Sequence, residues 1–177
     1  MKNVVIISST PRAGGNSEIL ATEFANGAIK AGNKVEMIYL RDYDLKYCQG
    51  CYACTSGACI HDDGMDKLCK KLLSADVIVF ATPVYFYSMS GQLKVFIDRL
   101  VPVYTQIHAD IYIIATQWDP DREIMENTIN SIRGCTRDCF ENCVERGVLY
   151  GVNLNDVGEA KQNKVYMSRA FAMGSNV

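Results

Sequence analysis

Hydrophobic residues along this chain form short, β-branched runs that alternate with longer stretches in which apolar positions recur every three or four residues. The short runs predict five strands, at residues 4–7, 35–40, 77–81, 111–115 and 148–152. The longer stretches predict helices at 17–31, 65–73, 91–100, 122–146 and 164–173. Asn16 is the predicted N-cap of the first helix, and Gly32 with Asn33 closes it. This alternation is typical of an α/β fold with a parallel sheet covered by helices on both faces.

Two strand orders suit five parallel strands, the flavodoxin-like order and the Rossmann order. Both place ligands beyond the carboxyl ends of the strands, where the strand order reverses. The loops after the first, third and fourth strands are therefore predicted to carry the chemistry. No repeat, low-complexity tract or Pro/Gly-rich linker interrupts residues 1–177, which predicts a single domain.

Composition and charge restrict the class of protein. The 177 residues are 49% hydrophobic and 21% charged with a net charge of −2, which gives no reason to expect nucleic-acid or membrane binding. The beginning of the chain does not resemble a signal peptide, so a cytoplasmic location is expected. The eight cysteines then need an explanation other than structural disulfides.

The loop after the first predicted strand has the residue types that bind phosphate. Residues 9–17 combine hydroxyls, an amide, an arginine and two glycines immediately before a helix, and the candidate ligands are Ser9, Thr10, Arg12, Asn16 and Ser17. Backbone N–H groups, hydroxyl donors and the positive end of a helix dipole favour an anion. The loop has neither G-x-G-x-x-G nor G-K-[ST], so it is not a dinucleotide fingerprint or a P-loop. A helix-capping turn is the simpler alternative.

Aromatic residues follow the third predicted strand, which is expected to end at Thr82-Pro83. A planar aromatic ligand needs apolar surface and nearby backbone polar groups, which this loop offers. The candidate contacts of such a ligand here are Pro83, Val84, Tyr85 and Phe86, with Thr116 and Gln117 from the loop after the fourth strand. The alternative is that the aromatic residues only cover the core.

A cysteine-rich loop spans residues 47–63. Its four thiols, all within twelve residues, are the candidate metal ligands Cys48, Cys51, Cys54 and Cys59. Compact spacing of this kind suits an iron–sulfur cluster, although zinc also accepts four thiolates. Free thiols or a redox-sensing disulfide remain open as well.

The other cysteines are expected to be structural. Cys135, Cys139 and Cys143 recur every four residues and predict a stripe on one helix, in the core or at a subunit contact. Cys69 is interpreted in the same way. Lys94, Asp98 and Arg99 are predicted to form a structural ion pair rather than to take part in catalysis.

Three motifs resemble those of the NAD(P)H-dependent FMN reductase family. Residues 10–17 (TPRAGGNS) resemble its S-P-R-x-x-G-N-[ST] loop, residues 82–85 its T-P-[VI]-Y turn, and residues 91–99 its G-x-L-K-x-F-x-D-R helix. The cysteine spacing, with Asp62, Asp63 and Met65, is similar to that of the iron–sulfur flavoproteins, relatives that carry a [4Fe–4S] cluster. The resemblance is weaker after Leu100, and residues 116–119 (TQWD) stand where relatives often have glycines.

The resemblance implies a flavodoxin-like fold with sheet order 2-1-3-4-5 and an FMN phosphate held by Thr10, Arg12, Asn16 and Ser17. The implied activity is hydride transfer from NAD(P)H to FMN and onward electron transfer to a quinone, another flavin or another small acceptor. An electron carrier that exchanges with protein partners such as ferredoxin is one alternative, and a thiol or metal redox sensor is another. A homodimer or homotetramer is expected, because one short chain leaves the edge of the ring open.

Overall fold

The computed structural model describes residues 1–57 and 59–177, which form a parallel sheet between two layers of helices. The strands are β1 (Asn3–Ser8), β2 (Lys34–Tyr39), β3 (Val77–Tyr85), β4 (Ser88–Met89), β5 (Asp110–Thr116) and β6 (Val144–Gly151). The α-helices are α1 (Asn16–Lys30), α2 (Met65–Leu73), α3 (Gly91–Asp98), α4 (Arg122–Thr136) and α5 (Lys164–Ser175). None of the helices in the described ranges is long and apolar enough to cross a membrane.

The sheet order is β2-β1-β3-β5-β6, and β4 pairs only with the end of β3. Without β4, the five parallel strands follow the predicted flavodoxin-like order. Successive strand residues point to opposite faces, so Val5 and Ile7 pack beneath α2, α3 and α4, whereas Val4 and Ile6 pack beneath α1 and α5. Both faces are buried, which explains the continuous apolar runs in the sequence.

Helices α1 and α5 approach each other unusually closely, and two glycines make this contact. A Cβ atom on Gly27 would lie 2.1 Å from the carbonyl oxygen of Phe171, and one on Gly174 would lie 2.0 Å from that of Phe24. No side chain fits in either space. The crossing holds α1, which begins at the predicted phosphate loop, against the C-terminal helix.

Three predicted boundaries are wrong in ways that have physical causes. Strand β3 continues past Thr82-Pro83 to Tyr85, because a proline φ suits extended backbone and the strand end pairs with β4. The predicted helix 122–146 ends at Thr136, and residues from Val144 belong to β6. The exposed residues Val144–Arg146 lack the apolar signal of a strand, since they lie at the solvated start of the edge strand β6.

Candidate functional site

An open cleft lies at the carboxyl ends of β1, β3 and β5, as the topology of the sheet predicts. It encloses about 650 Å³ including its mouth. Nine of the residues proposed from sequence line it, namely Thr10, Arg12, Asn16, Ser17, Pro83, Val84, Tyr85, Thr116 and Gln117. The structure brings together residues that are more than a hundred positions apart in the chain.

The floor of the cleft at its β1 end is the first turn of α1. The helix has Gly15 as its N-cap, which supplies no side chain to the amides of the first turn. The first intrahelical bond is donated by the Ile19 N–H to the Gly15 carbonyl at 3.0 Å, so the three preceding amides are free of helical partners. Ser17 is 1% exposed, and its Oγ has no hydrogen-bond partner within the described chain. A hydroxyl and several amides thus converge without acceptors, which suits an anion.

Two glycines shape this turn for close approach. Gly14 has a φ of +71°, a conformation that side chains disfavour. A Cβ on Gly15 would lie 2.7 Å from Thr10 Oγ1, which accepts the Arg12 N–H at 3.2 Å. The loop therefore folds tightly on itself and leaves the Arg12 side chain exposed at the cleft.

The side chain of Asn16 neither caps α1 nor remains free to bind an anion, contrary to the prediction. It is the first residue of α1 and not the N-cap. Its side chain donates to the Asp156 carbonyl at 2.9 Å and accepts the Ala160 N–H at 3.0 Å, so both polar atoms hold the C-terminal loop against α1. Only its backbone N–H remains for an anion.

An ion pair compensates the one acidic side chain in this turn. Glu18 pairs with Arg41 from the segment after β2, and both side chains are largely buried. The same carboxylate accepts the Gly14 N–H at 3.4 Å. Because Arg41 neutralises Glu18, the turn keeps an environment in which a bound anion is not repelled.

The middle wall of the cleft is the β3–β4 hairpin. Thr82 Oγ1 accepts the Ser90 N–H at 3.0 Å, and Ser90 Oγ donates to the Ser9 carbonyl at 3.0 Å. Ser9, one of the proposed ligands, is fully buried and supports the wall instead of lining the cleft. Phe86 also does not line it, since it lies fully exposed at the hairpin tip with a φ of +48°.

The far wall contains residues that the sequence did not reveal. Trp118, Leu154, Asn155 and Val157 line the cleft beside Gln117. The Gln117 N–H donates to the Gly151 carbonyl and the Leu154 N–H donates to the Gln117 carbonyl, each at 2.9 Å. These bonds join the loop after β5 to the segment after β6, which carries no recognisable motif. The departure of residues 116–119 from the glycine-rich pattern was the only signal in this region.

The cysteine loop lies next to the C-terminal end of α3. Cys48, Cys51, Cys54 and Cys59 line one small cavity together with Asp98 and Arg99 at the end of that helix. All four are free thiols. Over residues 1–57 and 59–177, no three His, Cys, Asp or Glu side chains converge closely enough to hold a metal ion. The thiols share a cavity, but in this arrangement they do not fit a metal centre.

A buried ion pair closes the base of this loop. Arg99 donates to the Asp63 carboxylate at 2.8 and 3.1 Å and to the Lys46 carbonyl at 2.6 Å, and the Lys46 N–H donates to Asp63 at 2.9 Å. Burial alone would raise the pKa of Asp63, but hydrogen bonds from Arg99 and from the Lys46 and Met65 amides lower it to about 2. We call this contact the Asp63–Arg99 latch. The predicted pairing within α3 is found for Lys94 and Asp98 at 2.5 Å, whereas Arg99 pairs with Asp63.

The remaining cysteines do not form one helical stripe. Cys135 lies in α4, Cys139 in the turn after it and Cys143 immediately before β6. Cys135 and Cys143 pack against the core and Cys139 is exposed. Burial raises the pKa of Cys135 to about 12 and that of Cys69 to about 11, so both thiols stay protonated at neutral pH. Their predicted core role is confirmed for Cys69, which is 6% exposed.

Comparison with known proteins agrees with this architecture. The chain is 40% identical over 101 residues to an iron–sulfur flavoprotein of Methanocaldococcus jannaschii, covering 56% of this chain and 52% of that protein. It is also 40% identical over 84 residues to an iron–sulfur flavoprotein of Archaeoglobus fulgidus, covering 48% of this chain and 42% of that protein. The matched region thus spans about half the length of these curated relatives.

A solved structure shows the same fold over nearly the whole chain. The NAD(P)H:quinone oxidoreductase from Methanothermobacter marburgensis superposes with a TM-score of 0.81 at 16% identity, covering 99% of this chain and 95% of that one. Residues 2–116 match the NADPH-dependent FMN reductase family, and they include the first turn of α1 and the hairpin wall. With well over half of its residues in that match, the chain belongs to the NADPH-dependent FMN reductase family.

Proposed function

We propose that this protein binds FMN in the cleft and uses NAD(P)H to reduce a small acceptor such as a quinone. The family match supports the cofactor, and the Ser17 hydroxyl is the observation that carries the proposal. It is a buried donor without an acceptor at the uncapped start of α1, where phosphate binding is favoured. Bound FMN would accept hydride from the nicotinamide and release the electrons to the acceptor.

The residues of the cleft divide the work of binding. Ser17, the amides of the first turn of α1 and Arg12 would hold the phosphate. Pro83, Val84 and Tyr85 offer an apolar wall with backbone groups for the ring. Trp118 is 69% exposed although it lines the cleft, so it is available to contact a second planar molecule at the mouth. No acid–base residue is assigned, because the flavin supplies the chemistry.

Titration of the full chain with FMN tests the cofactor. We expect Ser17→Ala to weaken FMN binding roughly tenfold or more, because a hydrogen bond to a charged group is lost. Ser131→Ala, which alters an exposed serine on α4, is the matched control and should bind FMN normally. Riboflavin, which lacks the phosphate, should bind equally to both variants. If the unaltered chain does not bind FMN, the proposal is wrong.

Steady-state oxidation of NADH or NADPH with benzoquinone tests the activity. Turnover supports an oxidoreductase with a small-molecule acceptor. Negligible turnover together with rapid exchange with reduced ferredoxin would favour the electron carrier instead.

The cysteine loop could give the protein a second redox function. The relatives' names support a cluster, whereas the placement of the four thiols does not, and we assign no reaction step to one. Iron and acid-labile sulfide assays on anaerobically purified protein decide whether the four thiols hold a cluster. Protein without iron and sulfide would exclude the cluster, and a zinc assay on the same sample would then separate a zinc site from redox-sensing thiols at Cys48, Cys51, Cys54 and Cys59.

A further inference from the structure

The side-chain amide of Gln117 is held in one orientation at the far wall of the cleft. Its Nε2 donates to the Asp119 carbonyl at 3.0 Å and to the Asp121 carbonyl at 2.6 Å. Because both neighbours are acceptors, the nitrogen must face them. A flip of the amide would oppose oxygen to oxygen and lose both bonds. Oε1 is therefore fixed on the opposite side of the amide.

This fixed oxygen has no partner. Gln117 is 5% exposed and lines the cleft, and its Oε1 accepts no hydrogen bond from the described part of the chain. A buried acceptor that stays unsatisfied is costly, so a ligand that fills the cleft is expected to bring a donor to this position. Within the described residues, Gln117 Oε1 thus lacks a hydrogen-bond donor, whereas the Ser17 hydroxyl and the neighbouring amides lack an acceptor.

The unpaired donor Ser17 and the unpaired acceptor Gln117 lie at opposite ends of the cleft. Ser17 follows β1 and Gln117 follows β5, with β3 between them. The strands that lead to them, β1 and β5, are two strand spacings or about 10 Å apart. A ligand that spans them offers anionic oxygens at one end and an N–H or O–H donor at the other.

We infer that Gln117 selects the imide N–H (N3–H) at the pyrimidine end of the flavin ring, with Oε1 as the acceptor. The inference rests on the proposed FMN site. In FMN the phosphate and the ring lie at the two ends of the ribityl tether, and N3 carries the donor of the oxidised ring. Gln117 is thus a specificity-determining residue, since an N3-alkylated flavin would leave Oε1 unpaired.

The unaltered full chain gives the first test, which needs no variant. Its affinity for FMN is compared with that for N3-methyl-FMN by fluorescence titration. We expect methylation to weaken binding roughly tenfold or more, the usual cost of a buried acceptor without a donor. Equal affinities would overturn the inference, and a ribityl hydroxyl would then be the partner. Failure of both ligands to bind would instead refute the proposed FMN site.

A variant completes the cycle. Gln117→Met removes the acceptor and should bind FMN roughly tenfold more weakly, yet bind FMN and N3-methyl-FMN with similar affinity. Gln106→Met changes an exposed glutamine outside the cleft and should keep the preference of the unaltered chain. If N3-methylation of FMN weakens binding to Gln117→Met as much as it weakens binding to the unaltered chain, the methyl group disturbs another contact and the inference is wrong.

Discussion

Replacement of Asp63 by asparagine tests how much the Asp63–Arg99 latch contributes to stability. The substitution keeps the shape of the side chain and removes its charge. Both side chains are almost inaccessible, at 8% exposure for Asp63 and 3% for Arg99. The change therefore leaves a buried guanidinium facing a neutral amide.

Two considerations give the expected loss in the free energy of unfolding. Removing one member of a buried ion pair typically costs about 3–5 kcal/mol. The pKa of Asp63 is lowered from 3.8 to about 2, and this difference of about 1.8 corresponds to about 2.5 kcal/mol at about 1.4 kcal/mol per pKa unit. Asparagine retains some hydrogen bonding, so we expect a loss of about 2–3 kcal/mol. For a chain of this size that corresponds to a fall in Tm of roughly 4–12 °C.

The pH dependence has a definite sign. The folded-state pKa of Asp63 lies below the unfolded value, so its stabilisation is complete above about pH 4. The contribution disappears as the pH falls through about 2, when the carboxyl becomes protonated in the folded state too. The difference between the unaltered chain and Asp63→Asn should therefore shrink between pH 4 and pH 2.

Urea unfolding followed by far-UV circular dichroism at pH 7 and pH 3 measures both effects. Asp62→Asn is the matched control, because it removes the same charge from the exposed neighbouring residue and should change stability little. Equal stability of Asp63→Asn and the unaltered chain at pH 7 would refute the reasoning. So would a difference that grows as the pH falls.

Three further substitutions or modifications have clear expectations. Gly174→Ala should lower the Tm sharply, because its Cβ would overlap the backbone of α1, whereas Gly134→Ala in α4 meets open space and should leave Tm unchanged or raise it slightly. Iodoacetamide at pH 8 should modify the exposed Cys139 well before Cys135, because burial raises the thiol pKa of Cys135 to about 12. Mass spectrometry of digests measures the two rates of modification, and equal rates would contradict this expectation. Asn16→Ala should release residues 156–160 and speed their proteolysis, and unchanged cleavage would argue against this tether.

The strands were predictable because buried parallel strands leave continuous apolar runs. The order of the sheet came from the family resemblance, since the pattern alone allowed two orders. The start of β6 was not predictable, since residues 144–146 are solvated and read as a continuation of a helix. The loop after β1 and the Pro83 wall were visible from motifs, and the sheet topology places them together at one cleft. The roles of Ser9 and Asn16 were misjudged, because both side chains bond to backbone distant in sequence. Neither the cysteine-loop motif nor the motif of residues 91–99 predicts the pairing of Asp63 with Arg99, because the two residues are 36 positions apart.

The N-terminal end of helix α3 supports the wall of the cleft, and its C-terminal end lines the cysteine cavity. Its N-cap Ser90 supports the hairpin wall of the cleft, and Asp98 at its other end lines the cysteine cavity about 12 Å along the axis. The two cavities have no lining residue in common within the described chain. Substitutions that remodel or remove the thiols can therefore leave the lining of the cleft unchanged, so relatives of this chain can differ in sulfur chemistry and still keep the same cleft.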